Sequence, residues 1–119
     1  MGERVAIVGS RSWTNWQIVR DYVYSLNPDD VVVSGGARGV DEWAEIYARE
    51  RGLDTLIFYP DYAQYGSKLA PLVRNTEIAS ACDRMVAFWD GVSNGTNDAV
   101  AKTRRLGKPV HVFDPPETG

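Results

Sequence analysis

Short apolar runs alternate with helix-like stretches along the chain, and this alternation limits the possible fold more than any other feature. The runs are rich in β-branched and aromatic residues and lack polar alternation, which is typical of strands buried on both faces of a parallel sheet. The five predicted strands cover residues 5–8, 31–33, 55–58, 85–88 and 110–113. The sequence therefore predicts an α/β protein with a parallel five-stranded sheet.

Helical periodicity fills the intervals between the predicted strands. Apolar residues recur at helical spacing from Trp16 to Leu26, and Thr14 with Gln17 forms a candidate capping box at the start of that helix. Three more helices are expected over residues 40–51, from about 69 to 81 and from about 96 to 106, with stop signals at Gly52 and Gly107. Right-handed crossovers then give a doubly wound, three-layer α/β/α Rossmann-like sandwich.

Length and composition set outer limits on organisation and function. The 119 residues suit one compact domain over residues 1–114, followed by a loose C-terminal tail at 115–119. The formal net charge is −3, which argues against a protein whose main task is to coat a phosphate backbone. A single cysteine, Cys82, excludes an intramolecular disulfide and a cysteine-built zinc site. No metal site or cofactor is indicated, and the lack of a signal peptide or membrane span predicts a cytoplasmic protein.

Glycine-rich loops follow three of the predicted strands and lead into helices. In an open parallel sheet, ligands bind at the carboxyl ends of the strands, beside the point where the strand order reverses. Backbone N–H groups at helix starts attract anions, and arginine side chains add charge-assisted contacts. The candidate ligand-binding residues in these loops are Gly9, Ser10, Arg11, Ser34, Gly35, Gly36, Arg38, Gly39, Asp41, Asp90, Ser93, Gly95 and Thr96. Neither the dinucleotide fingerprint nor the Walker P-loop occurs, so the loops predict a phosphate-bearing ligand without naming a nucleotide.

Aromatic residues beside these loops leave two interpretations open. The connection over residues 59–68 is long and carries three tyrosines, of which Tyr62 and Tyr65 could either stack on a base or pack the connection onto the body. Trp13 and Trp89 flank two of the glycine loops and could either sandwich a base or fill hydrophobic space.

Four segments, in order, resemble a known superfamily. VAIVGSRSW, VVVSGGARGVDEWAE, YPDYAQYGSKLAPLVRN and AFWDGVSNGTNDAV are similar to the YspA-like branch of the SLOG superfamily, which also holds the LOG-type phosphoribohydrolases and the DNA-processing protein A family. The resemblance covers residues 5–113 and implies a Rossmann-like nucleotide-binding domain. By analogy with that family, a homodimer is also expected.

The resemblance carries over to particular residues. Residues 34–41 look like the S-G-x-A-R-G-x-D stretch of the DNA-processing family, and Arg74-Asn75 is similar to its R-N-x-x-I-A helix. In LOG-type enzymes an arginine of the corresponding helix contacts the nucleotide, which implies a catalytic or phosphate-binding role for Arg74 and places Asn75 at the site. Gly95-Thr96 is similar to the G-T of the LOG signature P-G-G-x-G-T-x-x-E.

One departure from the LOG signature concerns the catalytic carboxylate. Ala99 stands where those enzymes carry glutamate, and Asp98 comes one residue early, a rotation of about 100° on a helix. Hydrolysis of an N-glycosidic bond needs a carboxylate to activate water or to stabilise the cationic sugar, a role that Asp98 or Asp41 would have to take.

Three functions are compatible with these observations. The favoured one is binding of a nucleotide or nucleotide-derived phosphate-bearing small molecule. The alternative is a nucleotide N-glycosidase of LOG type, with Arg74 and Asp98 as catalytic residues. The second alternative is single-stranded nucleic-acid binding with Tyr62, Tyr65 and Trp13 as stacking residues, which the negative net charge makes less favoured.

Overall fold

The protein, described here in a computed structural model over residues 2–115, alternates strand and helix along the chain. The strands are β1 (Arg4–Gly9), β2 (Val31–Ser34), β3 (Asp54–Ile57), β4 (Arg84–Phe88) and β5 (Val110–Phe113). The helices are α1 (Trp16–Tyr24), α2 (Val40–Glu50), α3 (Tyr62–Ala81) and α4 (Asn94–Arg105). The predicted α/β/α Rossmann-like sandwich with a parallel five-stranded sheet is confirmed. The loose tail predicted at 115–119 falls, beyond residue 115, outside the described part of the chain.

The order of the strands fixes where a ligand can bind. The sheet runs β3-β2-β1-β4-β5, and every neighbouring pair is parallel. The chain winds outward from β1 to β3, returns to β4 beside β1, and then continues to β5. The order therefore reverses between β1 and β4, and a crevice opens beyond their carboxyl ends.

Alternate residues of the central strands face two separate halves of the core. Val5 and Ile7 of β1 pack with the buried side chains of α1 and α2. Ala6 and Val8 pack on the opposite face with buried residues of α3 and α4. Because successive side chains of a strand point to opposite faces, an uninterrupted apolar strand is what a sheet covered by helices on both sides requires.

The cap of α1 differs from the predicted capping box. The Asn15 side chain accepts the Ile18 N–H at 3.3 Å, so the N-cap is Asn15 and not Thr14. Gln17 then lies at the second helical position, one residue short of where a capping box needs its glutamine. The prediction of a Thr14–Gln17 box was wrong because asparagine caps a helix at least as well as threonine does.

Helix α3 begins earlier than the apolar spacing predicted. The Asp61 carboxylate accepts the Gln64 N–H at 3.1 Å and starts the helix at Tyr62, well before residue 69. Gly66 adopts φ +78° and kinks the helix. Most of the segment 59–68 is therefore helical and not a loop. Apolar periodicity could not reveal this, because residues 61–69 are all exposed.

Gly39 occupies the N-cap of α2 in a conformation that L-amino acids rarely adopt, with φ +87° and ψ −123°. We expect Gly39→Ala to lower the free energy of unfolding by about 2 kcal/mol because of backbone strain. The matched control is Gly95→Ala in α4, where no positive φ is required and an added Cβ meets nothing within 4 Å. That change should raise stability by up to about 1 kcal/mol in the absence of ligand. Urea unfolding measures both, and equal effects would contradict the prediction.

Helices long and apolar enough to cross a membrane are absent from the described residues.

Candidate functional site

A cavity of about 460 Å³ opens at the carboxyl ends of β1 and β4, between the β2–α2 loop and helices α3 and α4. It lies where the strand order reverses, and we call it the switch-point cavity. The residues that line it come from several loops and helices: Val8, Gly9, Arg11, Ser12, Ala37, Asp41, Pro71, Arg74, Asn75, Asp90, Ser93, Gly95, Thr96 and Ala99.

A second hollow of about 430 Å³ adjoins the first, and we call it the tyrosine-side hollow. The residues lining it are Arg11, Gly35, Gly36, Ala37, Arg38, Tyr59, Pro60, Tyr62, Pro71 and Arg74. Four residues line both spaces: Arg11, Ala37, Pro71 and Arg74. The two spaces are therefore neighbours that share one border.

The predicted site residues are distributed unevenly over the two spaces. The switch-point cavity contains Gly9, Arg11, Asp41, Arg74, Asn75, Asp90, Ser93, Gly95 and Thr96, and the tyrosine-side hollow adds Gly35, Gly36 and Arg38. Four predicted residues line neither space: Ser10, Ser34, Gly39 and Asp98.

Sequence reasoning missed Ser12 and Pro71, which line the switch-point cavity. The signal for Ser12 was its place in the loop after β1, whereas nothing in the sequence pointed to Pro71.

Ser10 and Ser34 hold the backbone and do not face the cavity. The buried Ser34 hydroxyl donates to the Ile7 carbonyl of the neighbouring strand at 2.7 Å. The buried Ser10 hydroxyl accepts the Asp90 N–H at 3.1 Å and so connects the loops after β1 and β4.

Arg74 extends from α3 over the β2–α2 loop. Its Nη1 donates to the Gly35 carbonyl at 2.5 Å, and its Nε donates to Asn75 Oδ1 at 3.0 Å. A Cβ on residue 35 would lie 2.6 Å from Arg74 Nη1, so the close approach of the guanidinium requires glycine there. Within residues 2–115 Arg74 Nη2 has no hydrogen-bond acceptor, and it remains available to a ligand.

Two further guanidinium groups stand at the rims of these spaces. Arg11 follows β1 and lines both spaces, and Arg38 lies in the β2–α2 loop and lines the tyrosine-side hollow. Both residues are exposed, and neither forms an ion pair or a side-chain hydrogen bond with any residue of the described chain. Their positive charge is therefore not neutralised by a neighbouring carboxylate contact.

The N-terminus of α4 opens onto the switch-point cavity. Ser93 is its N-cap residue, but the Ser93 side chain forms no capping hydrogen bond, and the first turn holds no acidic residue. The first N–H groups of a helix have no partner within the helix, and they carry the positive end of its dipole. With Gly95 and Thr96 lining the cavity beside them, these amides can bind an anion.

Asp90 organises the β4–α4 loop. Its carboxylate accepts the Ser12 hydroxyl at 2.6 Å and the N–H groups of Val92 and Ser93 at 2.9 and 2.7 Å. These hydrogen bonds, the one from Ser12 above all, lower the pKa of Asp90 to about 2. Asp90 therefore fixes the two loops that border the switch-point cavity.

Asp41 is a buried carboxyl group in the wall of the switch-point cavity. It accepts the N–H groups of Gly35 and Ala37 at 3.2 and 3.4 Å and so closes the β2–α2 loop. Burial raises the pKa of Asp41 to about 6, although the positive charge of Arg74 opposes that rise. Asp41 therefore changes between its neutral and charged forms around pH 6.

The raised pKa of Asp41 predicts a pH-dependent stability. Between about pH 4 and pH 6 the folded protein binds a proton at Asp41 that the unfolded chain has released, so the contribution of Asp41 to stability is greatest at pH 4 and falls as the pH rises through this window. For a shift of this size, the loss is about 2 to 3 kcal/mol. Urea unfolding at pH 4, 5, 6 and 7 should show this fall in the wild type relative to Asp41→Asn. Parallel curves for the two proteins would contradict the prediction.

Comparison with known proteins identifies the family. The sequence profile of the YspA, cpYpsA-related SLOG family matches residues 3–65. The gene 61 protein of Mycobacterium phage D29 is 35% identical over 120 residues, which span 92% of this chain and 95% of the phage protein. The chain belongs to the YspA, cpYpsA-related SLOG family. The resemblance read from the sequence motifs is thereby confirmed.

Two solved structures share the fold of this SLOG-family chain. DNA processing protein A (DprA) from Streptococcus pneumoniae superposes with a TM-score of 0.82 at 23% identity, over 98% of this chain and 52% of that protein. DprA from Helicobacter pylori, described with its single-stranded DNA binding mode, gives a TM-score of 0.74 at 23% identity, over 98% and 67%. The chain thus spans about half the length of the S. pneumoniae protein. Identity this low shows a common fold and leaves function open.

Asn75, a predicted site residue, has both of its side-chain N–H donors engaged within the fold. Its Oδ1 accepts from Arg74 Nε, and its Nδ2 donates to the Gly95 carbonyl at 3.2 Å and to Asp98 Oδ2 at 3.1 Å. Asn75 is buried, so these bonds join α3 to the start of α4. Asn75 therefore positions Arg74 and the N-terminus of α4.

Asp98, the residue nearest to the catalytic glutamate of the LOG signature, lies outside the switch-point cavity. Its carboxylate is held by Asn75 and by Lys102, whose Nζ lies 2.9 Å from Asp98 Oδ2. Ala99, at the signature position itself, does line the cavity. The offset of one residue thus turns the carboxylate away from the space that a ligand would fill.

The four aromatic candidates separate into structural and exposed residues. Trp13 is buried and packs edge-on against Phe88 at 5.5 Å between ring centroids, so it fills the core. Trp89 is half-buried, and its Nε1 donates to the Ser93 carbonyl, which holds the β4–α4 loop. Tyr62 lines the tyrosine-side hollow, whereas Tyr65 is exposed and lines neither space.

Proposed function

We propose that this protein binds a nucleotide or a nucleotide-derived small molecule, with a phosphate group of that ligand in the switch-point cavity. The observation that carries the proposal is the convergence of Arg11, Arg74 and the uncapped N-terminus of α4 on one cavity. Helix N-termini and guanidinium groups both favour oxyanions, and together they surround the space from three elements of the fold.

The size of the switch-point cavity suits a small molecule. Ligand sites commonly occupy about 300 to 1,000 Å³, and this cavity of about 460 Å³ lies within that range. Of its two acidic residues, Asp90 is charged but its carboxylate is engaged by three hydrogen-bond donors, and Asp41 is buried and partly neutral at pH 6. A phosphate would thus meet more available positive than negative groups.

The geometry favours binding over hydrolysis. An N-glycosidase needs a carboxylate that faces the sugar and a water molecule. Asp98 is turned towards Lys102, and Asp90 accepts three hydrogen bonds from the loops beside it. Asp41 remains, but its carboxylate also holds the backbone of the β2–α2 loop.

Calorimetric titration with the nucleoside 5′-monophosphates, at low salt and neutral pH, tests the proposal. We expect at least one monophosphate to bind, and the corresponding nucleoside to bind at least about tenfold more weakly, because charge-assisted contacts contribute about 1.5 to 3 kcal/mol each. Nucleosides that bind as tightly as their monophosphates, or a complete panel without binding, would overturn it. Chromatography of the same mixtures for free base separates binding from turnover.

Single-stranded nucleic acid is the second candidate ligand. The tyrosine-side hollow favours it, because three arginines and two tyrosines line this hollow and none of the described residues lining it is acidic. The H. pylori DprA, which shares the fold, is a single-stranded DNA-binding protein. Phosphate contacts by three arginines predict a log–log salt slope of about −2 for a labelled oligonucleotide. Lack of binding at 25 mM salt would exclude this candidate.

A further inference from the structure

The tyrosine-side hollow displays two largely exposed aromatic rings, those of Tyr59 and Tyr62. Tyr59 and Tyr62 are 63% and 52% exposed, and neither ring contacts another ring or accepts a cation within residues 2–115. An unpartnered aromatic face beside positive charge is the arrangement with which proteins stack nucleobases. These rings therefore indicate a ligand with a planar aromatic group.

The ring of Tyr59 lies against the backbone of the β2–α2 loop. A Cβ on residue 36 would lie 2.5 Å from Tyr59 Cε1, and Gly36 also adopts φ +68°. Glycine thus provides both the turn and the space in which the ring lies. The consequence is that the wall of the hollow has a defined shape although Tyr59 is exposed.

The border between the two spaces is positively charged. Arg11 and Arg74 line both the switch-point cavity and the tyrosine-side hollow, and Arg38 adds a third cation on the side of the hollow. A phosphate at this border can contact guanidinium groups while substituents extend from it in both directions. The two spaces are also nearly equal in size, at about 460 and 430 Å³.

We propose that the tyrosine-side hollow is a second subsite, which takes the base of a second nucleoside unit. In the complete ligand, two nucleoside units are joined by a phosphate bridge, and the bridge lies on Arg11 and Arg74. One unit occupies the switch-point cavity, and the base of the other stacks on Tyr59 and Tyr62. This inference rests on the proposed function and extends it from one nucleotide unit to two.

A free dinucleotide presents this bridge and these bases and is the ligand that we propose, whereas a longer single strand presents them too and is the competing outcome of the test. Chain length distinguishes them. The probes are thymidine 5′-monophosphate (pdT), the 5′-phosphorylated dinucleotide pdTpdT, and 5′-phosphorylated oligothymidylates of four and eight units, titrated by calorimetry at 50 mM salt.

We expect pdTpdT to bind about 5- to 150-fold more tightly than pdT, the range that stacking of one base provides. For a free dinucleotide as ligand, the oligomers of four and eight units should bind within about threefold of pdTpdT. An affinity that rises with each added unit would instead identify a strand-binding tract and overturn the two-unit ligand.

Two variants locate the second subsite. The double variant Tyr59→Ala/Tyr62→Ala should bind pdTpdT and pdT with affinities that differ by no more than about threefold. The matched control is Tyr65→Ala, since Tyr65 is an exposed tyrosine of α3, the helix that carries Tyr62, and it lines neither space; this variant should keep the wild-type ratio of the two affinities. A double variant that keeps the full ratio while its circular dichroism matches the wild type would overturn the assignment.

Different results would overturn the second subsite alone and the proposed function as a whole. Binding of pdT with no gain for pdTpdT removes the second subsite and leaves the proposed function intact. If neither pdT nor pdTpdT binds, and the other nucleoside monophosphates also fail, both proposals are overturned.

Discussion

Replacement of Arg74 by alanine is expected to lower the affinity for the nucleoside monophosphate that binds best by roughly 300-fold, which corresponds to about 3.4 kcal/mol. Arg74 is the cation that lines both spaces from a helix, and its Nη2 is directed to no acceptor within the described chain. The change removes a partly buried charge that would pair with phosphate. It also leaves Asp41 without the cation that favours its charged form.

Two further variants complete this test, of which one separates charge from geometry at position 74 and the other is a control. Arg74→Lys should bind the monophosphate more tightly than Arg74→Ala but more weakly than the wild type. An ammonium group lacks the planar guanidinium geometry that can donate to the Gly35 carbonyl and to a phosphate at the same time. Arg20→Ala is the matched control, since Arg20 pairs with Asp21 on the surface of α1 and lines neither space. Calorimetric titration measures the affinities of Arg74→Ala, Arg74→Lys and Arg20→Ala for the monophosphate. Equal affinities of wild type and Arg74→Ala would contradict the proposed role of Arg74.

Asn75→Ala should lower the free energy of unfolding by about 4 kcal/mol, the second large effect that the structure predicts. The buried amide makes three side-chain hydrogen bonds, of which two involve the charged groups of Arg74 and Asp98. Alanine would leave the Gly95 carbonyl and two charged partners without these contacts, and the cost of such orphaned groups exceeds the value of an average hydrogen bond. Affinity for the monophosphate should fall as well, because Asn75 positions Arg74.

The adjacent variant Thr76→Ala is the matched control for stability. Thr76 is exposed on the same helix, and its hydroxyl donates only to the Leu72 carbonyl one turn earlier. We expect its unfolding free energy to stay within about 0.5 kcal/mol of the wild type in urea. A loss for Asn75→Ala no larger than that of Thr76→Ala would show that the junction between α3 and α4 is held by other contacts.

The sequence predicted the secondary structure correctly where a local residue pattern is compatible with one conformation only. The uninterrupted apolar strands predicted a sheet covered on both faces, and the stop signals at Gly52 and Gly107 fit the observed helix ends, where both glycines adopt positive φ. The capping of α1 and the start of α3 were predicted less well. Each depends on a single hydrogen bond that a side chain, Asn15 or Asp61, accepts from a backbone N–H, and neighbouring residues are equally plausible caps.

Within the candidate site, the sequence could identify loops but not the direction of their side chains. The rotation of Asp98 away from the cavity was anticipated from its offset of one residue, whereas its pairing with Lys102 was not. The sequence also did not reveal that both side-chain N–H donors of Asn75 are engaged within the fold, or that Trp13 is buried. Such details depend on which helix packs against which, and local residue spacing does not contain that information.

The alternation of strand and helix, with glycines after the strands, determined by itself a doubly wound sheet whose loops meet at one edge, because parallel strands bring their carboxyl ends together. Only the tertiary structure decided that this edge carries two adjoining spaces with Arg11 and Arg74 on their common border. The physical reason is that the border is built from residues far apart in the chain. Their distances are set by the packing of α3 against α4 and the sheet, which no single segment specifies.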